Sequence, residues 1–82
     1  MIIVWDEPKR LQNLAKHGLD FAELDERFFL AAIIRPAKSG RAIGIGELNG
    51  RLVVTVVHMP LGREAVSIIS MRPASRRERS LL

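Results

Sequence analysis

Arg72, Arg76, Arg77 and Arg79, with Glu78 among them, carry most of the formal net charge of +4. They follow directly on an apolar stretch, Val66 to Met71, that reads as a strand. Guanidinium groups present a planar fork of N–H donors suited to bidentate capture of phosphate or carboxylate. The partners that suit such a surface are RNA, DNA or an acidic protein. If the ligand is RNA, the chemistry open to it is attack of a ribose 2′-hydroxyl on the adjacent phosphorus. That reaction needs a group to take the 2′ proton, cations to stabilise the phosphorane and a group to protonate the 5′-oxygen. Arg72, at the end of a strand that can fix its position, is the candidate for the electrostatic role. Histidine is the side chain that exchanges protons near neutrality, and His17 and His58 are the two histidines here.

Each candidate also has a structural reading. His17 falls in the last turn of a helix, where a cation is favoured and a histidine can serve only as a cap. His58 closes a strand on the same face as Val54 and Val56, which equally suits a partly buried sheet histidine. Arg76 and Arg79 share a helical face that could hold an RNA backbone or be merely solvated, with Arg77 beside them. Glu78 could simply pair within that helix. Lys9, Arg10 and Lys16 give the first helix a basic face able to add phosphate contacts.

The elements that must position these groups are legible in pattern. Ile2 to Trp5 reads as a short strand. Asp6 stands at an N-cap position with Glu7 and Pro8 in the first turn. Leu11, Leu14 and Ala15 form an apolar face at i, i+3, i+4, and Gly18 supplies the stop. Asp20 with Glu23 forms a capping box, and Leu19 with Leu24 a hydrophobic staple. They predict a second helix whose Phe21, Leu24 and Phe28 line one face to about Leu30. Ala32 to Arg35 is a weak strand stopped by Pro36. Asn49-Gly50 predicts a type I′ hairpin turn with Ile45 opposite Val54 and Ile43 opposite Val56. Gly44 and Gly46 leave one strand face bare, for tight packing or for a partner. Leu52 to Val57, apolar on both faces apart from Thr55, reads as a central strand running on to His58. Pro60-Leu61-Gly62 makes a turn, Glu64 to Met71 returns, and Pro73 opens a helix from Ala74 to Leu82. The fold class is α+β: two N-terminal helices packed on a small antiparallel sheet, then a short basic helix.

Composition bounds the rest. Eighty-two residues suggest one domain, which buries only about 60–65% of its unfolded surface. With no cysteine there is no disulfide to compensate, so a partner or second copy is expected to complete the core. Neither a signal peptide nor a membrane span of roughly 18 apolar residues is present. The expected location is the cytoplasm, with no membrane contact. No P-loop, dinucleotide fingerprint, zinc-protease motif or Ser-His-Asp arrangement occurs, and neither a cofactor nor a metal is expected.

Two blocks carry a family resemblance. Trp5-Asp6-Glu7 followed by Asn13-Leu14-Ala15-Lys16-His17-Gly18-Leu19-Asp20-Phe21 resembles the opening of the BrnT toxins. Gly50-Arg51-Leu52-Val53-Val54, then His58, then Ile68-Ile69-Ser70-Met71-Arg72-Pro73-Ala74-Ser75-Arg76-Arg77-Glu78-Arg79 is similar to that family's second half. The two stand in the right order and cover nearly the whole chain. The resemblance implies a RelE-like fold, an endoribonuclease that inhibits translation by cutting RNA, and a hetero-oligomer with a BrnA antitoxin bearing a ribbon-helix-helix domain. It adds weight to Arg72, His17 and His58 as catalytic, and to Arg76, Arg77, Arg79 and Lys16 as RNA-binding. Three positions depart from the pattern: Ser67 stands where the family usually has arginine, Pro73 where lysine is frequent, and Leu82 where many members have an aromatic. The chain has no tyrosine. Two readings therefore stay open: a metal-independent endoribonuclease, and a non-enzymatic member that only binds an antitoxin or nucleic acid.

Overall fold

The computed structural model describes residues 1–82. Five strands form one mixed sheet in the order β1-β5-β4-β3-β2, with β1 Ile2–Trp5, β2 Ile33–Pro36, β3 Ala42–Leu48, β4 Leu52–Leu61 and β5 Ala65–Pro73. Helices α1 (Glu7–His17), α2 (Glu26–Ala31) and α3 (Arg76–Arg79) complete it, with single 3₁₀ turns at Phe21–Glu23 and Lys38–Gly40. The α+β class holds, but the sheet is not purely antiparallel. β1 lies parallel to β5, Ile3 opposite Val66 and Trp5 opposite Ile68. The other three pairs are antiparallel. No helix is long and apolar enough to cross a membrane.

β4 is central, as its two apolar faces require. Val54, Val56, Val66, Ile68 and Met71 turn one sheet face toward Phe21, Leu24, Phe28 and Phe29, forming the core. The two bare glycines belong to this packing. A Cβ at Gly46 would lie 3.3 Å from the Ala32 Cα and from the Phe28 ring, and one at Gly44 would lie 3.2 Å from Ile34. The glycines therefore let α2 and β2 close on β3.

Asn49 and Gly50 both have positive φ, 53° and 68°, and the Arg51 amide donates to the Leu48 carbonyl at 3.2 Å. The turn is of the expected kind, but Leu48 pairs with Leu52, so Arg51 joins the loop. Ile45 consequently faces Thr55, and Ile43 faces Val57. This one-residue slip reverses which β4 side chains accompany each β3 residue.

The second helix is divided. Asp20 accepts from the Ala22 amide and caps only the Phe21–Glu23 turn; Leu24 is extended, and Asp25 caps α2 by accepting from the Phe28 amide. Glu23 does not close a capping box; its carboxylate accepts from Asn49 Nδ2 at 3.1 Å. Asp6 makes no side-chain cap, although Gly18 ends α1 at φ 69° as expected. At the other end, Pro73 is the last residue of β5 rather than the first of a helix. Ser75 is the N-cap of α3, in a reciprocal capping box with Glu78. That Ser-x-x-Glu spacing was present in the sequence.

The apolar face of α1 also turns out differently. Leu11 and Leu14 are 52% and 36% exposed, while Asn13 is buried. The helix docks alongside β5, whose main-chain groups at that edge need a polar partner, so the polar side of α1 faces inward.

Candidate functional site

β1 covers the edge of β5 only from Ala65 to Ile68, because the chain turns into α1 after Trp5. Beyond Ile68 no strand lies on that edge. Asn13 takes the place of one: its Nδ2 donates to the Met71 carbonyl at 2.9 Å and its Oδ1 accepts from the Met71 amide at 3.0 Å. Nδ2 also donates to the Leu19 carbonyl at 3.2 Å, tying down the segment after Gly18. Sequence reasoning gave Asn13 no role beyond the motif, because the spacing of Leu11, Leu14 and Ala15 put it on the outer face of the helix.

The register of β5 against β4 shifts here. Val57 pairs with Ser70 but His58 with Ile68, leaving Ile69 as an extra residue. Such a bulge reverses the alternation of side chains along the strand. Val66 and Ile68 point into the core before it and Met71 after it, so Ser70 and Arg72 are turned to the opposite face. Without the extra residue Arg72 would face the core.

A groove of about 420 Å³ runs between α1 and this stretch of β5, lined by Lys9, Gln12, Asn13, Lys16, His17, Ile69, Ser70 and Arg72. Four of the residues singled out from sequence, Lys9, Lys16, His17 and Arg72, meet there. Arg10 does not join them. Its guanidinium is held by Glu7 (2.7 and 2.8 Å) and by both oxygens of Asp20 (3.1 Å each). The Arg10 fork and the Trp5 indole N–H hold the Glu7 carboxyl down at about 2.

Arg72 is anchored. Its Nη1 donates to Glu78 Oε1 at 2.7 Å and its Nη2 to Glu78 Oε2 at 2.9 Å. The same carboxylate accepts from the Thr55 hydroxyl at 2.9 Å and from the Ser75 amide at 2.8 Å. These donors, the Arg72 fork first, lower the Glu78 pKa to about 2, and the Glu78 carboxylate in turn raises that of Arg72. Glu78 thus ties α3 to β5 and β4 as well as capping its own helix. The Arg72 side chain remains 41% exposed.

His58 lies elsewhere. It is buried on the core face, its ring 5.1 Å from Phe29 in an edge-on arrangement and its Nδ1 3.2 Å from the Val56 carbonyl. Burial lowers its pKa, so the neutral imidazole is favoured. The two histidines do not converge, and His58 does not line the groove. Arg76, Arg77 and Arg79 are exposed on α3, beyond the groove but joined to it through Glu78. A separate concavity of about 300 Å³ is lined by Glu23, Asp25 and Glu47, with Arg27 as its one cation. Its carboxylates make it unsuited to a polyanion.

The groove presents cations from two elements and one imidazole to whatever occupies it, an arrangement fit for a phosphodiester. Comparison with known proteins bears on its identity. Residues 5–78 match the family model described as ribonuclease toxin, BrnT, of type II toxin-antitoxin system. A comparison with curated proteins gave no match. Among solved structures, the fold is similar to the 1.1 Å crystal structure of the Brucella abortus ribonuclease toxin BrnT. The TM-score is 0.87 at 55% identity, over 93% of this chain and 99% of that one. With the family model spanning nearly the whole chain, the protein belongs to the BrnT family of ribonuclease toxins of type II toxin–antitoxin systems.

Proposed function

We propose that this toxin is a metal-independent endoribonuclease that inhibits translation in the cytoplasm, and that a ribbon-helix-helix antitoxin neutralises it. Family membership itself implies an antitoxin partner and an RNA target. The observation that supports the mechanism is the convergence of Lys9, Lys16, His17 and Arg72 on one groove. In this reading Arg72 holds the non-bridging oxygens of the scissile phosphate, where negative charge grows in the phosphorane. His17 takes or returns the proton in the 2′-hydroxyl attack. Lys9 and Lys16 neutralise the flanking phosphates, and Arg76, Arg77 and Arg79 extend that track along α3. His58, enclosed in the core, supports packing.

One observation favours a binding-only toxin instead: Ser67 and Leu82 stand where the family usually has an arginine and many members an aromatic. A single experiment separates the two. The purified chain is incubated with cellular RNA in EDTA, and the same gene is induced without a partner. Cleavage leaving 2′,3′-cyclic phosphate ends, together with slowed growth, is the expected result. Intact RNA and unaffected growth would leave only binding.

A further inference from the structure

We propose that Glu78 is a positioning residue for catalysis, holding the Arg72 guanidinium in the one orientation that offers a free edge to the scissile phosphate. This rests on the role given to Arg72 above. A free arginine side chain is among the most mobile and loses much rotamer freedom when ordered. Here that ordering is done before substrate arrives. Glu78 takes the outer pair of nitrogens, Nη1 and Nη2. Nη1 has one further contact, a long 3.4 Å hydrogen bond to the Pro73 carbonyl. The edge formed by Nε–H and the second Nη2–H makes no hydrogen bond to the protein, and Arg72 lines the groove. That edge is a ready bidentate donor for two phosphate oxygens.

The carboxylate is itself immobile, since the Thr55 hydroxyl comes from the fully buried centre of β4 and the Ser75 amide from the start of α3. Three elements, β4, β5 and α3, thus meet on one carboxylate, which in turn holds the guanidinium. The arrangement carries an electrostatic disadvantage, because a carboxylate beside Arg72 weakens the attraction for RNA. A surface made only to bind would be better without it. Orientation of a transition-state donor is what the pair supplies, and small misplacements there cost up to about 10²-fold in rate.

Glu78→Gln separates the two effects. The glutamine Oε1 can still accept from Ser75 and Thr55, keeping the α3 cap, but its NH₂ opposes Arg72. Steady-state cleavage of a defined RNA should show kcat falling about tenfold to a hundredfold while KM falls as well, because the countercharge is gone. Side-chain ¹⁵N NMR should show the Arg72 Nε–H signal broadened by exchange. Thr55→Val, which keeps shape and loses one anchor of the carboxylate, should lower kcat less and in the same direction. In the Arg72→Ala background, Glu78→Gln should cause no further loss of kcat. Unchanged kcat in both Glu78→Gln and Thr55→Val, with Arg72→Ala inactive, would overturn the positioning role and leave Arg72 catalytic. An active Arg72→Ala would overturn the reading beneath it.

Discussion

Asn13 and Met71, 58 residues apart, are joined like neighbours in a sheet: a side-chain amide answers both the carbonyl and the N–H of one strand residue. This pair sets the distance between α1, which carries Lys9, Lys16 and His17, and β5, which carries Arg72. The fold and the groove therefore depend on the same contact.

Asn13→Ala leaves the Met71 amide and carbonyl without partners in a buried position, each costing about 1–3 kcal/mol. The expected loss is about 2–6 kcal/mol, a large share of the roughly 5–15 kcal/mol that stabilises a domain. Urea unfolding of the variant should show a lowered midpoint, and a stability equal to wild type would show that water or a neighbouring group replaces the amide.

Arg72→Ala is expected to lower the cleavage rate by about 10²–10³-fold, the usual effect of removing one transition-state donor. Arg72→Lys should not rescue it, since an ammonium cannot present two parallel donors. His17→Ala should remove the imidazole-dependent limb of the pH–rate profile, whereas His58→Leu should leave that limb in place. Cleavage assays across pH check all four variants, and a profile governed by His58 would reverse the assignment of the proton-transfer group.

Stability should fall as the solution is acidified, in two separate ranges. Burial holds the His58 pKa below its ordinary value of 6.5. Below that pH the unfolded chain takes up a proton that the folded chain resists, so the unfolded state gains. The contribution is complete above about pH 6.5 and is lost as pH falls towards the folded pKa. The melting temperature should therefore drop between pH 7 and pH 5, and His58→Leu should reduce that drop. Glu78, held near 2 against an ordinary 4.5, contributes above pH 4.5 and loses its contribution as pH falls towards 2. Melting curves at pH 7, 5 and 3 test both ranges.

Gly46→Ala should destabilise by about 1–3 kcal/mol, the usual cost of overpacking a filled core. The added methyl would sit 3.3 Å from the Ala32 main chain and from the Phe28 ring, neither of which can easily retreat. Thermal unfolding measures it; a neutral substitution would mean that α2 shifts freely on the sheet.

Signals contained within a few residues were readable from the chain itself. Asn49-Gly50 fixed a turn with two positive φ values, Gly18 ended α1, and the doubly apolar run from Leu52 marked the central strand. Each depends on local sterics or on the polarity of one segment. The basic strand end at Arg72 and the family resemblance were likewise visible, and they pointed to the groove and to the toxin family. Residues far apart in sequence had to be brought together by packing before the rest was decided. Parallel pairing of β1 with β5 and the insertion of Asn13 at the β5 edge depend on contacts across some 60 residues, and the bulge that turns Arg72 outward depends on how β5 pairs with β4. The sorting of charged groups depends on packing as well. Glu7 at i−3 was a local signal for Arg10, but nothing local shows that Asp20 also holds it or that Lys9 and Lys16 face the groove. Nor does anything local separate His17 in the groove from His58 in the core, because burial is a property of the assembled sheet and helices.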